Sequence, residues 1–156
     1  MRYLDKRVER ICDELYRLRI VQRMEWTERG PVRATLETER KVSRSVICQK
    51  IHFYAACPRI DFETTVDWKE HQHLLKAHFP MDVHTDEATF EIQFGNVTRK
   101  THQNTSWDQA RFESCGQKWI DVSEGHYGIS LLNDCKYGHS VHNGEMALTL
   151  IKSGTE

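Results

Sequence analysis

The chain has 156 residues, a formal net charge of −1 and 38% apolar residues, enough for one domain with its own core. Four Trp and 10% aromatic residues set it apart from disordered chains, and the near-zero charge argues against a face built for a nucleic-acid backbone. No apolar run approaches the ~20 residues that span a bilayer, and the first thirty residues, with Arg2, Lys6, Arg7 and Arg10 but no apolar segment, are expected to hold no secretory signal.

Along the chain, Leu4, Val8, Ile11, Leu15 and Leu18 recur at steps of four and three. Residues 1–18 therefore read as a short N-terminal helix, or as a linker ending an element whose partner lies upstream. From Arg19 the period changes to two. After a Gly30–Pro31 turn, Val32, Ala34 and Leu36 alternate with charged and polar residues. In 45–55, Ile47, Ile51 and Phe53 share a face, with Cys48 beside them. In 59–68, Ile60, Phe62, Thr64, Val66 and Trp68 alternate with Asp61, Glu63, Thr65 and Asp67, a strong strand pattern. Cys57–Pro58 reads as the connection between these two runs.

Further strands are expected at 74–79, 88–94, 111–113, 118–122, 127–132 and 147–151. Turn signals separate them at Phe79–Pro80, Gly95–Asn96, Asn133–Asp134, Tyr137–Gly138 and Asn143–Gly144, the last a two-residue hairpin signal. Thr98–Asp108 lacks apolar periodicity and reads as a long loop, the kind of segment that often carries function. Many short strands without helices between them predict an all-β, antiparallel sandwich over 19–156.

The five cysteines, Cys12, Cys48, Cys57, Cys115 and Cys135, form no CxxC pair. An odd count without that spacing speaks against a disulfide framework or a thiolate zinc site, and for a reducing, cytoplasmic setting. On a strand, His71 and His73 would share a face and offer a metal two ligands, with His78, Glu70 and Asp67 near; the plain alternative is a polar strand end. Asp61, Glu63 and Asp67 could work as a carboxylate set, or form the wet face of a sheet with cross-strand partners such as Arg33 or Lys50. Tyr127–Gly128 and Tyr137–Gly138 around Asn133–Asp134 suit sugar stacking, or are core tyrosines beside a turn.

Several segments together resemble glycoside hydrolase family 38, the alpha-mannosidases. They are Gly30-Pro31-Val32-Arg33-Ala34; Ile60-Asp61-Phe62-Glu63-Thr64 with Val66-Asp67-Trp68; Leu74-Leu75-Lys76 and Phe79-Pro80; Phe94-Gly95, Arg99 and Thr101-His102. Trp119, Ser123, Tyr127-Gly128, Leu131-Leu132-Asn133-Asp134, Tyr137-Gly138 and Leu148-Thr149-Leu150-Ile151 follow in the same order. The resemblance runs from about residue 19 to 152 and looks nearest to the cytosolic and bacterial branch.

The resemblance implies a piece of the late β region of the family, part of a galactose-mutarotase-like supersandwich. Family members are much longer. A catalytic domain nearer their N-terminus carries zinc, an aspartate nucleophile and an acid/base carboxylate, none of which has a counterpart here. It thus implies a non-catalytic fragment, without catalytic residues or cofactor of its own, from a zinc-dependent retaining enzyme acting on terminal alpha-mannosides. The partners implied are the missing catalytic domain and a mannoside or oligosaccharide; the unpaired edge strands of a sandwich cut from a larger sheet also make self-association an expectation. His71 becomes a strand-end feature rather than a zinc ligand. Arg99, His102 and Trp107, in the long loop, become the expected sugar-pocket contacts. The alternatives are a stand-alone carbohydrate-binding or interaction module, and a mutarotase-like enzyme using His71 with Glu70 or Asp67.

Overall fold

Residues 21–154 are described by the structure, a computed structural model. The segment 1–18 lies outside the described residues. The chain divides into two compact units at the Glu70–His71 boundary.

The first unit holds one antiparallel meander: β1 (Val21–Arg29), β2 (Arg33–Val42), β3 (Ser45–Tyr54) and β4 (Ile60–Asp67), paired in chain order. The period-two pattern dictates the register. Trp26 stands opposite Leu36, Leu36 opposite Ile51, and Ile51 opposite Phe62, so one row of apolar side chains crosses all four strands. Leu36, Ile51 and Phe53 are buried, with Met24, Trp26 and Ile60 against them, and the Trp26 and Phe53 rings lie 6.2 Å apart. Phe62 ends the row largely exposed on edge strand β4.

The β2–β3 turn is tied to the end of the unit. The Glu70 carboxylate accepts hydrogen bonds from the Ser45 hydroxyl and the Arg44 backbone N–H, both 2.9 Å, and Lys69 N donates to the Ser45 oxygen at 2.8 Å. Those donors hold the Glu70 carboxyl below its ordinary range.

The second unit is a β-sandwich of two four-stranded sheets. Its strands are β5 (Leu74–Pro80), β6 (Glu87–Ile92), β7 (Gly95–Lys100), β8 (Ser114–Cys115), β9 (Trp119–Glu124), β10 (Tyr127–Leu132), β11 (Gly138–His142) and β12 (Glu145–Lys152). One sheet runs β10-β9-β6-β7 and the other β5-β12-β11-β8. Ala88, Phe90, Ile120 and Val122 face Val141 and Met146 across the core, with Val83 completing it. Strand β12 is central: it pairs along its whole length with β5, Glu145 opposite Pro80 and Lys152 opposite Leu74, and on its other side with β11. Just beyond β12, Ser153 N donates to the His73 carbonyl at 3.1 Å and its hydroxyl accepts from His73 N at 2.9 Å.

The all-β expectation holds, with differences in detail. Asn143–Gly144 does make the tight β11–β12 hairpin, both residues at positive φ (54° and 72°), as this turn geometry requires. The β6–β7 turn is not Gly95–Asn96 but Gln93–Phe94, because Ile92 pairs with Gly95, and Phe94 takes φ 61°. No strand forms at 111–113; β8 starts at Ser114. Thr98–Asp108 is not one loop: its first three residues finish β7, and a short helix, α1 (Ser106–Ala110), occupies its end.

Candidate functional site

The segment from Thr98 to Arg111 borders a cleft of about 290 Å³ that also takes lining residues from β6 and β11. Strand β7 brings Arg99 to it, the residues after β7 bring His102, α1 brings Asp108, the residue after α1 is Arg111, and β11 brings Ser140 and His142. A Thr-x-x-Asp capping box fixes the helix. The Thr105 hydroxyl accepts from Asp108 N at 3.2 Å, while the Asp108 carboxylate accepts from Thr105 N at 3.1 Å and from the Thr105 hydroxyl at 2.7 Å. The Thr105 bonds come first among the causes that lower the Asp108 pKa, and the His102 and Arg111 charges add to them.

Arg99 is braced from behind. Its guanidinium carbon lies 4.4 Å from the Phe90 ring centroid, and Nη1 donates to the Cys115 carbonyl at 2.9 Å. Burial, and then the neighbouring Arg111 charge, push Arg99 below the ordinary arginine value, which is high enough for it to stay cationic. His142 Nδ1 donates to the Thr101 carbonyl at 3.1 Å. His102 Nδ1 is shut off from solvent without a hydrogen-bond partner, 3.6 Å from Asp108 Oδ2. On its other side His102 borders a more open hollow of about 670 Å³, with His84, Asp86 and Asn143 on its walls.

Of the three loop residues singled out in sequence, the fold brings Arg99 and His102 to one cleft. Trp107 is not among its lining residues and is 77% exposed. Asp108, Arg111 and His142 were not singled out. The Thr105-x-x-Asp108 spacing is a local signal by which Asp108 could have been found; Arg111 and His142 carry no local signal, because the sandwich alone brings them to Arg99.

The other candidates resolve into structural roles. His71 and His73 precede β5 rather than sitting on it, with Gln72 between them at φ 57°, so strand geometry gives them no common face. His78 pairs with Glu145 on β12 at 2.5 Å. Among the described residues no three His, Cys, Asp or Glu side chains gather as a metal site, so these residues offer zinc no fit. On β4, Asp61 takes Arg59 and the Tyr54 hydroxyl, Glu63 faces His52 at 3.7 Å, and Asp67 takes Lys69 at 2.7 Å. The wet-face reading holds, but with different partners: Arg33 turns to Glu28 at 2.8 Å, while Lys50 stands opposite Glu63 in register without an ion pair. Asn133 serves its turn, donating to the Gln117 carbonyl at 3.0 Å and accepting from Lys136 N at 2.7 Å, and Tyr127 and Tyr137 are half exposed.

Comparison with known proteins points one way. Residues 7–156 match the family Glycosyl hydrolases family 38 C-terminal domain. The chain is 43% identical over 136 residues to Alpha-mannosidase G of Dictyostelium discoideum, covering 81% of this chain and 12% of that protein. It is 46% identical over 109 residues to Alpha-mannosidase 2C1 of Homo sapiens, covering 70% of this chain and 10% of the relative. Its fold matches the crystal structure of an alpha-mannosidase from Enterococcus faecalis V583 with a TM-score of 0.69 at 18% identity, over 85% of this chain and 19% of that one. The chain thus spans about a tenth of the length of the curated relatives it matches.

Proposed function

Since the chain belongs to the glycosyl hydrolases family 38 C-terminal domain family, we propose that it is the non-catalytic β-sandwich portion of a zinc-dependent, retaining alpha-mannosidase that removes terminal alpha-linked mannose. The observation that carries this reading is 43–46% identity to named alpha-mannosidases over most of this chain but only a tenth of theirs. A retaining glycosidase needs a nucleophilic carboxylate and an acid/base carboxylate flanking the scissile bond. The acidic residues singled out above are engaged otherwise: on β4, Asp61 pairs with Arg59, Glu63 faces His52 and Asp67 pairs with Lys69, and Asp108 caps a helix. The two catalytic carboxylates, and a zinc that would orient sugar hydroxyls, belong in this reading to a catalytic domain outside the chain, which is its natural partner.

The chain's own contribution is the cleft. Arg99, held in place by Phe90 and the Cys115 carbonyl, can donate to a sugar oxygen, and His102 stands beside it. Trp107, exposed on α1, is a stacking surface for a sugar ring. The setting proposed is cytoplasmic. Edge strands such as β4, with exposed Phe62, offer a route to self-association.

The pure 156-residue chain is expected to show no turnover of a nitrophenyl mannoside with added zinc; turnover would refute the non-catalytic reading. In a full-length enzyme, Arg99→Ala should lower mannosidase activity or alter substrate range, and an unchanged enzyme would sink the loop-contact role. A second reading, a stand-alone carbohydrate-binding module, is favoured by one fact: the second unit alone builds the whole cleft. Calorimetric mannose binding by this chain would select it.

A further inference from the structure

The charges around the cleft are unbalanced. Arg99, Lys100 and Arg111 line it beside the imidazoles of His102 and His142; Lys100 is paired with Glu87, and the one carboxylate among the lining residues is Asp108. That carboxylate is held by the Thr105 N–H and hydroxyl and lies 3.6 Å from His102 Nδ1, and its single charge can offset only one of the two guanidiniums. Arg99 uses only Nη1, on the Cys115 carbonyl, and Arg111 makes no side-chain hydrogen bond or ion pair among the described residues. By contrast Arg23, Arg33 and Arg59 each hold a carboxylate.

Two guanidiniums sharing one small hollow repel each other, and a neutral hydroxyl does nothing to offset that. An oxyanion does, because a guanidinium fork matches a carboxylate or phosphate with two parallel hydrogen bonds. The volume, about 290 Å³, is at the small end for ligand sites and suits a single sugar-sized molecule.

We infer that this cleft is an oxyanion site in which Arg99 and Arg111 together hold the phosphate or carboxylate group of a small, sugar-sized ligand. The inference rests on the cleft being ligand-facing, as proposed above, and alters what fills it: an acidic substituent in preference to a neutral mannoside.

Calorimetric titration of the whole chain at low salt tests it with four probes: inorganic phosphate, a hexose 6-phosphate, a hexuronate and methyl alpha-mannoside. The anionic sugars should bind about tenfold or more tighter than the neutral one, the size of a charge-assisted hydrogen bond. Added salt should weaken them. The hexose phosphate and the uronate distinguish phosphate from carboxylate as the favoured group. Arg111→Gln, at an exposed position, should leave the melting curve in place and reduce anion binding about tenfold. Arg59→Gln, in the first unit, should not alter binding. Binding of methyl mannoside alone would overturn the oxyanion site and leave the sugar-contact role of the cleft standing. Binding of none of the probes would overturn both. Anion binding that survives Arg111→Gln unchanged would also overturn the inference.

Discussion

His139 is the most deeply buried ionisable side chain of the second unit, with no exposed surface. Its Nδ1 donates to the Tyr137 carbonyl at 3.2 Å, which leaves Nε2 to accept from Asn133 Nδ2 at 3.4 Å. Both bonds require the neutral ring, since a proton on Nε2 would confront the Asn133 N–H. Burial, the leading cause, pushes its pKa down. The folded chain therefore resists a proton that the unfolded chain takes up readily. Stability should be full above the ordinary histidine value of about 6.5 and decline as pH falls below it, levelling off once the lowered folded value is passed. Thermal melts from pH 8 to pH 5 should show this decline, and His139→Asn should flatten it. Polar residues at 98–100 hid the edge strand β7 from a pattern search, because Val97 is its sole apolar side chain turned to the core. Phe94 hid the preceding turn, since a bulky side chain at positive φ is rarely a turn signal.

At the scale of elements, legibility follows how many faces a strand buries. Strict alternation from Ile60 to Asp67 marked β4 plainly, because one face of an antiparallel sheet is wet. The pattern was weaker where contacts across the sandwich decide. His139 and Ser140 on β11 are polar, yet this strand lies between β8 and β12 and sends Val141 into the core. The cleft was half legible for the same reason: Arg99 and His102 lie in one run, whereas Arg111 and His142 arrive from other elements. The core itself is tight between β6 and β9. Ile120 is fully buried opposite Phe90, and a Cβ added at Gly116 would lie 2.9 Å from Ile120 Cγ2 and 3.2 Å from His139 Nδ1. Ile120→Ala should cost about 3 kcal/mol through lost burial and the cavity left behind. Gly116→Ala should cost about 1–3 kcal/mol by overpacking the same spot. Denaturant unfolding of the two variants measures both, and a neutral Gly116→Ala would mean that the Ile120 side chain yields freely.

At the scale of the molecule, the central place of β12 governs when the second unit can form. Its first strand, β5, finds its ladder partner some seventy residues later, so the nascent chain must hold β5 open while β6 to β11 emerge. Such long-range closure is slow, and it leaves an unfilled strand slot between β5 and β11 until the last strand arrives. A chain ending at residue 144 should therefore retain β-structure in the first unit but lose the cooperative melt and near-ultraviolet signal of the second. A truncated chain that still melted as two folded units would show that β12 joins late, as an accessory. On a ribosome, that slot keeps the second unit an open half-sandwich, a natural client for chaperones, until β12 has emerged to close it.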